Sequence, residues 1–172
     1  MKTSSELMGE AFERSLNRWR HAKINGNLTL PSARQPAHWT IAISRETGAG
    51  GGEVARALGA KLGWDVFDRT IVDWVAKQSG IRQELLETLD ENPPHWLIEC
   101  LNAFAGGSQV TGSSYARDLG EVLLAMAAHG ECVIVGRGAS LLLPRATTLR
   151  VRVIASLADR VQRIAGKRGI DS

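Results

Sequence analysis

The stretch of sequence that decides the fold is residues 39–57, WTIAISRETGAGGGEVARA. An apolar alternating run from Trp39 to Ser44 predicts a strand, and the pattern of residues 53–62 predicts a helix. Between them lie four glycines within residues 48–52. A simple strand-to-helix turn needs one glycine, whereas a phosphate-binding loop uses several to bring backbone N–H groups close to an anion. The lysine that such loops usually carry near their end is absent.

The rest of the chain predicts an α/β fold built on a parallel sheet. Further apolar strands are predicted at 64–67, 132–135 and 149–155, and each is followed by a helix or a loop. Helices are predicted at 53–62, 68–78, 82–90, 94–105, 114–129 and 156–167. This order predicts three layers, with helices on both faces of the sheet. Ligands of such sheets bind at the carboxyl ends of the strands, where the glycine run, Asp68 and residues 136–138 fall.

The sequence divides into two predicted parts. Residues 1–38 comprise an amphipathic helix to about His21 and a linker, and residues 39–172 form the compact domain, with a helical insert at 68–130. The net charge of +3 lies in residues 1–40, where we interpret the basic residues as a solvated helix face. Because the remaining chain is balanced in charge, we expect no binding to nucleic acid.

Composition excludes several other classes of protein. No run of about 18 apolar residues occurs, so we expect no membrane span, and residues 1–21 lack the apolar core of a signal peptide. The two cysteines, Cys100 and Cys132, are too few for a disulfide framework, and we expect both to be reduced. We therefore expect a cytoplasmic protein. The four histidines have no metal-ligand spacing and receive no chemical role.

Two kinds of phosphate loop compete for the glycine run. The dinucleotide fingerprint can be placed on Gly50, Gly52 and Ala55, with Asp68 as the acidic residue after the second strand. That placement leaves five residues between the strand and the first glycine, which is long for so tight a turn. About 64 residues, largely helical in pattern, also separate the second strand from the third. Such an insert is typical of nucleoside monophosphate kinases, which use it to hold the acceptor nucleotide.

Two motifs together give a specific resemblance. ISRETGAGGGEVARALGAKLGWDVFDRTIV at 43–72 and GECVIVGRGASLLLP at 130–144 resemble the cytidylate kinase-like family, a branch of the P-loop nucleoside monophosphate kinases. The resemblance covers residues 39–168 and implies a P-loop core, ATP with Mg²⁺ as the phosphoryl donor, and a CMP-like acceptor. On a standard phosphate loop, Gly50 takes the place of the glycine before the lysine. Gly51 then takes the place of the lysine, and Gly52 that of the Ser or Thr that binds magnesium.

The resemblance also assigns expected roles to single residues. Gly136-Arg137-Gly138 resembles the Gly-Arg-Asp of cytidylate kinases, and Arg160 and Arg163 resemble arginines that enter a mobile lid and reach phosphates. Arg137, Arg160 and Arg163 are thus the predicted catalytic cations. The predicted donor-binding residues are Gly48, Ala49, Gly50, Gly51, Gly52 and Glu53, and the predicted acceptor-binding residues are Asp68, Arg69 and Arg137.

Several of these residues have a second interpretation. Asp68 either contacts the acceptor or caps the following helix, and Arg69 either faces phosphate or is solvated. Glu53 either binds magnesium through water or lies in the first helical turn because the helix dipole favours an acid there. Arg45 either substitutes for the missing lysine or pairs with Glu46. Because a cation after a buried strand is costly unless paired, we expect Arg137 to bind phosphate or a carboxylate.

Two alternatives to a kinase remain open, and the resemblance also carries an expectation about the extent of the chain. The first alternative to a kinase is a non-catalytic, regulatory nucleotide-binding module with a degenerate loop, and the second is a dinucleotide-dependent oxidoreductase. The fold that the chain resembles continues with a lid, a fifth strand and a closing helix, which residues 168–172 cannot supply. We therefore expect a C-terminally incomplete chain that binds nucleotide weakly and has little kinase activity alone.

Overall fold

The computed structural model describes residues 4–24, 39–87 and 114–169. Within these ranges no helix has the length and apolar composition needed to cross a membrane. The predicted helix at 94–105 lies outside the described residues. In chain order the elements are α1 (Ser4–Ile24), β1 (Thr40–Arg45), α2 (Gly51–Leu62), β2 (Asp65–Phe67), α3 (Arg69–Lys77), α4 (Ser79–Glu87), α5 (Ser114–His129), β3 (Cys132–Val135), α6 (Ala139–Leu142), β4 (Thr148–Val153) and α7 (Leu157–Arg168).

The four strands form one parallel sheet in the order β2-β3-β1-β4. Thr40 of β1 is in register with Cys132 of β3 on one side and with Thr148 of β4 on the other. The chain leaves β1 towards β2 on one side of the sheet order and leaves β3 towards β4 on the other. These opposite connections open a crevice between β1 and β3 at their carboxyl ends, which is where open α/β sheets bind ligands.

Alternating side chains cover both faces of the sheet, as the apolar patterns predict. Ile41, Ile43, Val133 and Val135 pack on one face against Ala55 of α2. On the other face Ala42, Phe67, Cys132 and Ile134 join the larger core cluster, to which α3, α4 and α5 contribute. The predicted α/β architecture with helices on both faces is therefore confirmed.

The α1 helix belongs to the same hydrophobic core as the sheet. Phe12 and Leu16 are buried in the larger cluster, and Trp19 stacks on His129 with ring centroids 4.2 Å apart. Two basic residues of α1 have acidic partners, since Arg18 pairs with Asp65 of β2 and Arg20 pairs with Glu84 of α4. Both arginines stay largely exposed, and docking of α1 also brings them to carboxylates of the domain.

Local differences from the predicted elements have simple causes. The helix predicted to begin at residue 82 begins at Ser79, as α4, and the N–H of Arg82 already donates to the carbonyl of Gln78. The one-turn helix α6 is too short to show a sequence period. Cys132 is a core residue of β3, as predicted, and burial raises the pKa of its thiol to about 12.

The contact between α2 and β2 depends on the absence of a side chain at Gly59. A Cβ atom there would overlap the side chain of Val66 and would lie 2.9 Å from the carbonyl oxygen of Trp64. The bare backbone of Gly59 thus lets α2 lie close enough to β2 to cover the Ile41 face of the sheet.

We expect Gly59→Ala to lower the free energy of unfolding by about 1–3 kcal/mol, because overpacking outweighs the gain in helix propensity. Gly166→Ala is the matched control, since Gly166 lies within α7 with no atom near its Cβ position. Chemical denaturation of both variants checks this expectation. A Gly59→Ala protein as stable as wild type would show that this contact is not tight.

Candidate phosphate-binding site

The turn between β1 and α2 is held by backbone hydrogen bonds and by left-handed glycines. The N–H of Glu46 donates to the carbonyl of Val153 at 3.2 Å, and the N–H of Ala49 donates to the carbonyl of Glu46 at 3.1 Å. Gly48 has a φ of +83° and Gly50 a φ of +86°, values that side-chain-bearing residues rarely adopt. These bonds and dihedrals bring the chain from the sheet edge directly into the first turn of α2.

The first turn of α2 presents free backbone donors. Gly50 caps the helix without a side-chain hydrogen bond, and the first intrahelical bond runs from the N–H of Val54 to the carbonyl of Gly50 at 3.1 Å. The preceding N–H groups, those of Gly51, Gly52 and Glu53, therefore have no backbone acceptor within the helix, and that of Glu53 interacts with its own carboxylate. Such a cluster of N–H groups at the positive end of a helix dipole attracts an anion.

A cleft of about 570 Å³ lies beside this turn, at the carboxyl edge of the sheet. Two carboxylates line it, those of Glu46 and Glu53. Six cationic side chains contributed by five parts of the fold also line it: Arg45, Arg56, Arg69, Arg137, Arg163 and Lys167. This excess of positive charge around free N–H donors makes the cleft suited to a polyanion.

Helix α7 closes one side of the loop. The guanidinium of Arg163 donates to the carbonyl oxygen of Gly48 at 2.7 Å, and the ammonium of Lys167 donates to Glu53 at 2.6 Å. The hydrogen bond from Lys167 holds the pKa of the Glu53 carboxyl below its ordinary value. Both cations therefore lie at the loop, beside the first turn of α2.

Arg160, the third predicted catalytic cation, does not line the cleft. Its Nε lies 3.5 Å from Oε2 of Glu46 in an ion pair. A Cβ on Gly48 would come within 2.7 Å of the Arg160 carbonyl oxygen, so α7 and the loop are in close contact here. The ion pair of Arg160 with Glu46 thus joins α7 to the loop.

Arg137 lies in the segment after β3. Its backbone is strained, and its side chain has an acidic partner. Its φ is +53°, between two glycines that also have positive φ. Its guanidinium pairs with Asp73 of α3, which also accepts a hydrogen bond of 2.6 Å from the hydroxyl of Tyr115. Burial alone would raise the pKa of Asp73, but the hydrogen bonds from Arg137 and Tyr115 outweigh it and lower that pKa. Arg137 therefore has a carboxylate partner and still lines the cleft.

The two acceptor candidates at the start of α3 have different positions. Asp68 is the N-cap of α3, and its carboxylate accepts from the N–H of Thr70 at 2.8 Å and of Ile71 at 3.1 Å. Asp68 is exposed and does not line the cleft, so the dinucleotide fingerprint lacks its acidic residue at the site. Arg69 does line the cleft, with its Nε 3.8 Å from Asp73.

The predicted donor-binding residues also separate into two groups. Gly48, Gly50, Gly51, Gly52 and Glu53 line the cleft. Ala49 does not line the cleft, because its side chain is buried and its N–H donates to the carbonyl of Glu46.

The site residues predicted from the sequence did not include Lys167, Asp73, Arg56 or Tyr115. Lys167 was detectable, since it follows Arg163 by one helical turn on the same face of α7. Asp73 had a similar signal, four residues after Arg69. Arg56 and Tyr115 had no such signal in the sequence, because only the fold brings Arg56 to the cleft and Tyr115 to Asp73.

The four-stranded parallel sheet with helices on both faces, whose first strand runs through a glycine loop into a helix N-terminus, is consistent with a P-loop NTPase-like fold. The model of the cytidylate kinase-like family matches residues 40–172, and the chain belongs to that family. A crystal structure of an uncharacterized protein from Eubacterium ventriosum ATCC 27560 is similar at 20% identity, with a TM-score of 0.45. The match covers 78% of this chain and 64% of that protein. No curated protein matches the sequence significantly.

The Asp73 cluster makes stability dependent on pH. The pKa of Asp73 is lower in the folded chain than its ordinary value of 3.8, so its contribution is present above that value and is lost as the pH falls through the folded pKa. We expect Asp73→Asn to lower the free energy of unfolding by about 1–2 kcal/mol at pH 7, and the difference from wild type to shrink below about pH 3.8.

Urea unfolding of both proteins between pH 7 and pH 2.5 measures this difference. Tyr115→Phe keeps the ring and removes one hydrogen bond, so it should produce a smaller loss. A difference between Asp73→Asn and wild type that stays constant down to pH 2.5 would contradict the assignment.

Proposed function

We propose that this chain is a nucleoside monophosphate kinase-like protein that binds ATP in the cationic cleft and transfers its terminal phosphoryl group to CMP or a similar acceptor. The observation that carries the proposal is the convergence of free N–H groups of the first turn of α2 with six cationic side chains at the crevice between β1 and β3. Membership of the cytidylate kinase-like family supports the choice of reaction and acceptor.

The proposed reaction needs little beyond positioning and charge neutralisation. The N–H groups of Gly50–Glu53 would hold the donor phosphates, as anion sites at helix N-termini do. Arg163 and Arg137, on opposite sides of the crevice, would neutralise the charge that develops on the transferred group. Arg160 would act through its ion pair with Glu46, by holding α7 against the loop.

The acceptor would lie on the Arg137 side of the cleft. Arg137 also borders a shallow, mostly apolar pocket of about 310 Å³, formed by residues of α5 and α6 such as Leu119, Leu123 and Leu142. A base could pack against such side chains while its phosphate faces Arg137 and Arg69. Asp68 would contribute by fixing the start of α3 and hence the position of Arg69.

A magnesium ion at this loop would have to arrive on the nucleotide, because the loop itself offers few ligands. Gly52, in the place of the usual Ser or Thr, offers no side-chain oxygen, and the nearby Glu53 is engaged by Lys167. In the described part of the chain no group of three or more His, Cys, Asp or Glu residues could hold a metal ion. Mg²⁺ in kinases is often bound mainly by substrate phosphates and water, with one or two carboxylates, so Glu53 is the candidate ligand here.

A second candidate function is a regulatory module that binds nucleotide without turning it over. The observation that favours it is glycine at position 51, where a standard phosphate loop has lysine. Loss of one preorganised charge donor typically costs about 100- to 1,000-fold in rate, so turnover would be slow unless another cation replaces it.

Two measurements on the full chain test the proposal and separate the two candidates. Calorimetric titration with ATP measures binding, and transfer from γ-labelled ATP to a panel of nucleoside monophosphates measures catalysis. We expect saturable ATP binding and slow transfer that is fastest to CMP or a related nucleotide. Binding without transfer to any acceptor would favour the regulatory module, and the absence of binding would contradict both candidates.

Gly50→Val should abolish ATP binding while the sheet stays folded. The substitution forces a branched side chain into a φ of +86° and places its Cβ 2.9 Å from the guanidinium of Arg163. Gly63→Val is the matched control, because Gly63 also has a positive φ, at the other end of α2, with no atom near its Cβ position. Both variants should lose stability, but only Gly50→Val should lose ATP affinity. Equal ATP affinity in folded Gly50→Val and Gly63→Val would rule out the loop as the phosphate site.

A further inference from the structure

The side chain of Arg45 fills the space that a side chain at position 51 would occupy. Arg45 is the last residue of β1, and its stem crosses the backbone of Gly51. A Cβ on Gly51 would lie 2.7 Å from the Cβ of Arg45, 2.9 Å from its Cγ and 3.3 Å from its Cδ. Position 51 therefore has no room for a side chain while Arg45 holds this conformation.

The guanidinium of Arg45 reaches the other side of the crevice. It lies against Gly136, the first residue after β3, where a Cβ would come within 3.2 Å of its Cζ. Arg45 thus bridges the carboxyl ends of β1 and β3, directly beside the free N–H groups of α2. This is where the topology of the sheet predicts a ligand.

Arg45 differs from the other cations of the cleft in its hydrogen bonding. Among the described residues its guanidinium has no hydrogen-bond or ion-pair partner. The carboxylate of Glu46, the partner that the sequence suggested, pairs with Arg160 instead. Each of the other five cations of the cleft has a partner, on Asp73, on Glu53 or on the carbonyl of Gly48.

The residues at positions 45 and 51 can be compared with those of the standard phosphate-loop motif. The motif is G-x-x-x-x-G-K-[ST], and with its second glycine on Gly50 its first glycine falls on Arg45 and its lysine on Gly51. The chain therefore has a cation where the motif has glycine, and glycine where the motif has the cation. The structure shows why the two changes belong together, since the side chain from position 45 lies over position 51.

We propose that Arg45 replaces the lysine of the phosphate loop and binds the β- and γ-phosphates of the donor nucleotide. The inference rests on the proposed function, because it assigns a residue to the same nucleotide site. A guanidinium suits this task, since its planar fork can donate two parallel hydrogen bonds to one phosphate. Within the described residues no ion pair of Arg45 has to break before phosphate binds.

The test compares ATP and AMP affinities by calorimetry in four folded variants. Arg45→Met keeps the stem over Gly51 and removes the charge, so it should weaken ATP binding by about ten- to a hundredfold and change AMP binding much less. Arg152→Met on the neighbouring strand β4 is the matched control, because Arg152 is exposed and does not line the cleft. It should bind ATP like wild type.

Variants that exchange the residues at positions 45 and 51 give a second, independent test. Gly51→Lys alone should weaken ATP binding, because the new side chain meets the stem of Arg45. The double variant Arg45→Gly with Gly51→Lys restores the standard motif and should recover ATP affinity to within about tenfold of wild type.

The outcomes separate this inference from the proposed function. Unchanged ATP affinity in folded Arg45→Met, with normal binding by wild type, would overturn the role of Arg45 and leave the nucleotide site standing. An equal loss of ATP and AMP affinity would also overturn it, because the β- and γ-phosphates would then not be its target. No ATP binding by wild type would overturn the proposed function and the inference with it.

Discussion

The turn at Gly48–Gly50 is the constraint on which the site and much of its surroundings depend. Both glycines have φ values above +80°, and a Cβ on Gly48 or Gly50 would collide with α7, at the carbonyl of Arg160 or the guanidinium of Arg163. The turn therefore orients the first N–H groups of α2 and also sets where α7 can lie. Because α7 carries two of the cations of the cleft, the loop and the charges around it are positioned by the same few residues.

The cleft gathers six cationic side chains and two carboxylates, and internal acidic partners offset part of this positive charge. Asp73 lies near Arg137 and Arg69, and Glu53 near Lys167 and Arg56, so two carboxylates moderate repulsion among four cations. These partners keep the cations at the crevice when no anion is bound. In the proposed site a polyanion would be received by Arg45, which has no partner among the described residues, and by the first N–H groups of α2. The paired cations would contribute by small shifts of their side chains.

Much of the fold follows from local patterns in the sequence. Short apolar runs identify each strand within one or two residues, and Asp68 is recognisable as a helix cap from its place before α3. The cationic cleft is not visible in this way, because Arg45 and Lys167 are more than a hundred residues apart in sequence. Net charge also did not reveal the cleft. The positive excess of the sequence lies in residues 1–40, whereas the cations of the cleft come from the remaining chain, which is balanced in charge. The pairing of Arg137 with Asp73 and the overlap of Arg45 with position 51 depend on backbone geometry that no sequence period encodes.

The most direct measurement is a titration of the ¹⁵N-labelled chain with ATP, followed by backbone amide and arginine Nε resonances. If the loop holds phosphate, the amides of Gly50–Glu53 and the Nε of Arg45 should shift together at one ligand concentration. Inorganic tripolyphosphate should reproduce most of these shifts, because the contacts are with phosphate and not with the base. Shifts confined to residues outside the cleft, or amides of Gly50–Glu53 that stay unchanged at saturating ATP, would contradict a phosphate site at this loop.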